Sequence, residues 1–79
     1  NPKTEIRFDI IDESDVELAI YNLMGQKIKD LQSERMNPGF HSVTWDGTNT
    51  SGAPVASGMY FYKLSTANFQ STKKMLFLK

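Results

Sequence analysis

The side chains in this chain best suited to chemistry are a single histidine, His41, an acidic run at Asp12, Glu13 and Asp15, and the aromatics Trp45, Tyr60, Phe61 and Tyr62. A polar loop, Asp46-Gly47-Thr48-Asn49-Thr50-Ser51-Gly52, joins them. An imidazole serves as a zinc ligand or a general base only alongside partners, and the sequence has no second histidine and no cysteine. His41 shares strand parity with Val43 and Trp45 and reads as a packing residue. The polar loop has the look of a calcium loop but lacks carboxylates at its third, fifth and twelfth positions, where hard oxygen ligands are needed. Turn formation explains it more simply. Asp12, Glu13 and Asp15 could meet a divalent ion, yet three carboxylates on a turn are more often solvated.

No serine sits in a G-x-S-x-G elbow, and no glycine-rich phosphate loop occurs. The reading is therefore of a non-enzyme with no catalytic residue, cofactor or metal. The aromatics would bind a sugar ring only if exposed together on one face. Alternation sets Tyr60 and Tyr62 opposite Phe61, so Trp45, Tyr60 and Tyr62 are expected in the core, and carbohydrate binding stays a third-ranked alternative.

These residues are carried on short segments of period-two alternation separated by turn residues, which predicts a sandwich or barrel of six or seven strands. Ile6, Phe8 and Ile10 alternate with Glu5, Arg7 and Asp9 over Thr4 to Ile11, and Val16, Leu18 and Ile20 repeat the pattern after a polar turn. The two segments predict a hairpin. Gly25 sits where a tight turn needs positive φ, and Lys27 to Leu31 reads as a short strand that lapses into polar residues between Gln32 and Asn37. Phe40 to Asp46 follows the Asn37-Pro38-Gly39 turn. The stretch from Gly47 to Pro54 reads as an exposed connection, and Gly58 opens a strongly β-prone, central strand over Met59 to Leu64. Phe69 to Leu78 is the last strand. Gly25, Gly47 and Gly58 are the expected turn-forming glycines.

That last strand is apolar on both parities, Met75 and Phe77 against Leu76 and Leu78. Cover on both faces is the general expectation; the alternative is an edge or exposed face that a partner reads. Lys73, Lys74 and Lys79 flank it as charged gatekeepers against aggregation.

Composition agrees with one small domain. Seventy-nine residues suit one domain spanning 1–79, with residues 1–3 as a linker end, and a chain this short buries only about 60% of its unfolded surface. Nine basic and nine acidic side chains give no net charge and no field to hold nucleic acid. The longest apolar run, Met75 to Leu78, falls far short of the roughly 20 residues of a membrane-spanning helix. No charged-then-apolar leader opens the chain, so if the protein is exported its signal peptide is expected on preceding sequence.

Taken in order, several stretches resemble the C-terminal sorting domains, type A, of proteins exported by the type IX secretion system of Bacteroidetes. They are Asn1-Pro2, Val16 to Tyr21 with Asn22-Leu23-Met24-Gly25-Gln26-Lys27-Ile28, His41 to Gly47, Gly52 to Tyr62, and the basic and apolar ending Lys73 to Lys79. The middle motifs are also similar to the immunoglobulin-like domain of flagellar hook-capping proteins; the ending favours the sorting domains. The resemblance implies an immunoglobulin-like antiparallel β-sandwich that carries an upstream passenger through the periplasm to the cell surface or medium. Its implied partners are the type IX translocon and a sortase-like peptidase that cleaves the tail. Recognition is then expected at Lys74, Met75, Leu76, Phe77, Leu78 and Lys79. The alternative is an immunoglobulin-like spacer or docking module.

Overall fold

A computed structural model describes residues 3–79; Asn1 and Pro2, the expected linker end, lie outside the described residues. In chain order the strands among these residues are β1 Thr4–Ile10, β2 Ser14–Tyr21, β3 Lys27–Met36, β4 Gly39–Trp45, β5 Gly58–Ser65 and β6 Gln70–Phe77. β1 and β4 pair as one antiparallel sheet, and β3-β2-β5-β6 form the other. Every pairing is antiparallel.

The predicted β1–β2 hairpin is not what forms. β1 runs beside β4, from Thr4↔Trp45 to Ile10↔Gly39, whereas β2 lies between β3 and β5 in the opposite layer. The cause is the amphipathic pattern that made both segments look like strands. Stacking the faces Ile6/Ile10 and Val16/Leu18/Ile20 across two layers removes both from water, which side-by-side pairing alone does not do. Val16, Leu18 and Ile20 are completely buried, each worth about 1.5–3 kcal/mol of transfer free energy.

β3 is also longer than its sequence suggests, reaching Met36 instead of stopping at Leu31. The added part, Gln32 to Met36, pairs with β2 in unbroken register, but Ser33, Glu34 and Arg35 are all exposed, so it shows no apolar alternation to a period-two reading. The register shifts against β2 fall earlier, at Ile28 and Leu31. Its polar end is held by Arg35, whose Nε lies 2.9 Å from Glu13 and whose Nη1 lies 3.4 Å from Asp15. Two of the three carboxylates considered for metal binding thus have a partner in the fold.

The core joins both layers: Ile6, Ile10, Val16, Leu18, Ile20, Trp45, Tyr60, Leu64 and Phe77, with Tyr62 and Met75 packed half-buried against it. Trp45, Tyr60 and Phe77 form an aromatic triad, with Trp45 centroids 5.2 Å from Tyr60 and 4.8 Å from Phe77.

The Gly47 to Pro54 stretch, expected to be an exposed connection, is exposed only from Thr50 to Pro54, since Gly47 is buried and Thr48 and Asn49 are half-buried; it is also internally built. Asn49 Oδ1 accepts from Ser51 N at 3.1 Å, Ser51 Oγ at 2.9 Å and Ala53 N at 3.0 Å, while Val55 N donates to Gly47 O at 2.9 Å. Thr50 N donates to Ile28 O at 3.0 Å and ties the loop to β3. Asn49→Ala is expected to cost about 1 kcal/mol, because the freed donors can still reach water. A urea titration should show a lower midpoint at unchanged slope; an unaltered midpoint would mean the loop folds without that side chain.

Candidate interaction surface

The last strand is where the two competing expectations meet. β6 pairs with β5 on one side only, from Gly58↔Phe77 to Ser65↔Gln70, and is an edge of the four-stranded sheet. The expectation of cover on both faces is therefore corrected. Met75 and Phe77 turn inward, and Phe77 is 1% exposed, whereas Leu76 is 56% and Leu78 64% exposed. The physical reason is topological: the two-stranded β1–β4 layer covers one face of the large sheet, and nothing among the described residues lies over the other.

The six expected recognition residues thus divide. Phe77 belongs to the core, Met75 is half-buried against it, and Lys74, Leu76, Leu78 and Lys79 are accessible. Sequence reasoning missed what lies beside them. Cross-strand register sets Met59 opposite Leu76, and it lines up Lys27, Tyr21, Phe61 and Lys74 as one row across all four strands. The β2–β3 turn at the same end of the sheet exposes Leu23 (61%) and Met24 (82%). Alternation on β5 taken together with that on β6 carries this signal, but only once the pairing is known.

Two anchors hold the edge in place. Gly47, with φ at +77°, lets the Phe77 ring sit directly against its backbone, where a methyl would overlap ring atom Cζ. Lys79 N donates to Ser57 Oγ at 3.0 Å beyond the end of the strand. The same loop satisfies the other two rings of the triad, since Trp45 Nε1 donates to Thr48 O at 3.0 Å and Tyr60 OH to Ala56 O at 2.7 Å. Gly25 turns the β2–β3 connection at φ +83°, with Asn22 Oδ1 accepting from Met24 N and Gln26 N, and Gly58 opens β5.

The remaining chemical candidates are placed by packing. His41 stacks on Phe8 at 5.8 Å, and its Nε2 donates to Asn37 O at 2.7 Å. Trp45 is wholly buried and Tyr60 8% exposed, so no sugar-stacking platform is built from them. An open groove of about 740 Å³ between β3, β4 and the Gly47 loop is lined by Lys29, Asp46 and Thr48 among others. Lys29 Nζ donates to Thr48 Oγ1 at 2.7 Å and lies 3.7 Å from Asp46. The Thr48 hydroxyl, 2.6 Å from Asp46, holds that carboxyl below its ordinary value of 3.8. Lys29, Asp46 and Thr48 thus satisfy one another.

Two antiparallel layers closed over a tryptophan define an immunoglobulin-like β-sandwich. More narrowly, the chain belongs to the FlgD Ig-like domain family, whose profile matches residues 3–70. A crystal structure of FlgD from P. aeruginosa superposes with a TM-score of 0.76 at 20% identity, over 95% of this chain and 58% of that one. At that identity the likeness carries the fold, and this chain spans little more than half the length of that structure. No curated protein matches the chain. The hook-capping relation expected from the middle motifs is thereby shown. The sorting-domain relation draws nothing from these matches, and the family profile ends before the Lys73 to Lys79 segment on which that resemblance leans.

Proposed function

We propose that this chain is a non-catalytic immunoglobulin-like module that docks or spaces protein parts, and that its working surface is the open β6 edge. One observation carries the reading: a strand pinned from inside by Phe77 while Leu76 and Leu78 face solvent on an unpaired edge. Main-chain groups at such an edge give a partner strand its affinity, and alternate side chains give selectivity. A photocrosslinking residue in place of Leu76, in the full-length protein in its own cell, should capture a protein more strongly than one in place of Phe40. Phe40 is a fair control, being 89% exposed on the other sheet. Equal capture at the two positions would end the edge reading.

A finer reading is supported by the basic and apolar ending: the module is a type IX sorting tail that is read by the translocon. It would then carry an upstream passenger through the periplasm to the surface or medium, and a sortase-like peptidase would remove it. Deleting Lys74 to Lys79 tests this poorly, because the deletion takes Phe77 out of the core. Leu76→Glu with Leu78→Glu is the better probe. Both side chains are exposed, so stability should stay within about 0.5 kcal/mol per site while export of a periplasmic reporter fused ahead of the chain is lost. In a host with a working translocon, periplasmic retention of the unmutated fusion would remove the sorting reading and leave the docking module standing.

A further inference from the structure

The chain is neutral overall but electrically divided. Residues 1–46 hold all nine acidic side chains and five of the basic ones, while residues 47–79 hold four lysines and no acid. Folding turns this division into geography, because β5 and β6 are neighbours at one side of the large sheet. Lys63, Lys73, Lys74 and Lys79 therefore lie on the edge strand, beside it or just past its end. Pairing sharpens the contrast. Arg7, Lys27, Lys29 and Arg35 each lie within 4.0 Å of a carboxylate, whereas none of those four lysines does among the described residues.

Resting on the reading of β6 as a docking edge, we infer that its occupant is an extended acidic segment of a protein partner, added as a fifth strand with adjacent carboxylates beside Lys73 and Lys74 and apolar residues beside Met75 and Leu76. Successive strand residues point to opposite faces of a sheet. Lys73 shares its face with Met75 and Phe77, Lys74 with Leu76. A flat anionic surface such as a bilayer meets one face at a time. A strand lying in the plane of the sheet sends consecutive side chains to both, and opposite charges set across such a pair stabilise it. A second β6 does not fit: antiparallel pairing over the full Gln70–Phe77 length sets Lys73 against Lys74, like charge against like.

The test uses the 79-residue chain and a fluorescent decapeptide of alternating valine and threonine with two adjacent glutamates at its centre. Three comparisons accompany it: the double-glutamine analogue, a backbone N-methylated analogue that cannot pair, and phosphatidylglycerol vesicles. The glutamate peptide is expected to bind, the glutamine analogue to bind about tenfold more weakly, roughly 1.4 kcal/mol, and the N-methylated analogue not at all. The Lys73→Glu, Lys74→Glu double variant should lose at least as much affinity for the glutamate peptide while keeping the parent circular dichroism. Equal binding of the glutamate and glutamine peptides, abolished by N-methylation, would overturn the acidic partner and leave the docking edge intact. Binding indifferent to N-methylation, or no peptide binding, would overturn both. Tighter retention on vesicles would reassign the lysines to a membrane surface, and self-association that blocks the peptide would reassign the edge to a second copy.

Discussion

Trp45→Ala should lower the free energy of unfolding by about 3–5 kcal/mol, the cost of emptying a large aromatic site in a core that cannot collapse around it. Three observations set the size. The indole is completely buried, it is the ring that both Tyr60 and Phe77 contact, and its Nε1 is the donor that closes Thr48 O. For a domain of this length the whole of stability is of the order of 4–12 kcal/mol, so the variant sits near the threshold of folding. Trp45→Phe separates the contributions, because it keeps most of the packing and loses the hydrogen bond. It should fall between parent and alanine variant. Chemical denaturation of the three proteins measures the series, and a change below about 1 kcal/mol for Trp45→Ala would contradict the burial on which the sandwich depends.

How much of this was legible beforehand follows the range of the interactions involved. Alternation is local, and it identified the inward residues of β1, β2, β4 and β5, including Trp45 and Tyr60, with Tyr62 half-buried on the same face, because each strand has one covered face. Which strands are neighbours is not local. The β1–β2 hairpin failed for that reason: a short polar turn between two amphipathic strands is equally compatible with pairing them and with stacking them. β3 failed through a different cause. Its second half pairs with β2 in unbroken register, but three consecutive residues there, Ser33 to Arg35, are exposed, so neither parity carries an apolar signal.

The candidate surface was half visible. Lys73 to Lys79 stood out by composition, but a run that is apolar on both parities does not reveal which parity is covered. The structure resolves that through β5: Tyr60 and Leu64 face the core, so the residues paired with Met59 and Phe61, namely Leu76 and Lys74, must face outward. The role of Gly47 was legible only as turn chemistry. That it leaves room for a ring arriving from far along the chain is a tertiary fact with no sequence signal.

That close approach gives the second large expectation. Gly47→Ala is expected to destabilise the domain by about 2–5 kcal/mol through two separable effects. At φ +77° a side chain costs about 1–2 kcal/mol for the left-handed backbone alone. The new methyl would also overlap Phe77 Cζ and lie 2.9 and 3.0 Å from its Cε atoms, an overpacking that typically costs about 1–3 kcal/mol. The ring cannot simply withdraw, because it is wedged against Trp45 and Tyr60. Gly25→Ala isolates the first effect, since Gly25 has φ +83° and no atom within 4 Å of where the new methyl would sit. It should cost only the dihedral share. Phe77→Leu combined with Gly47→Ala isolates the second: the pair should be less destabilised than the sum of its members by roughly 1–3 kcal/mol. Additive behaviour would mean that the ring does not press on Gly47. If the ring does press there, amide exchange in Gly47→Ala should quicken first at Lys79, whose N–H donates to Ser57 Oγ, because Phe77 is what fixes the end of β6 from inside the core.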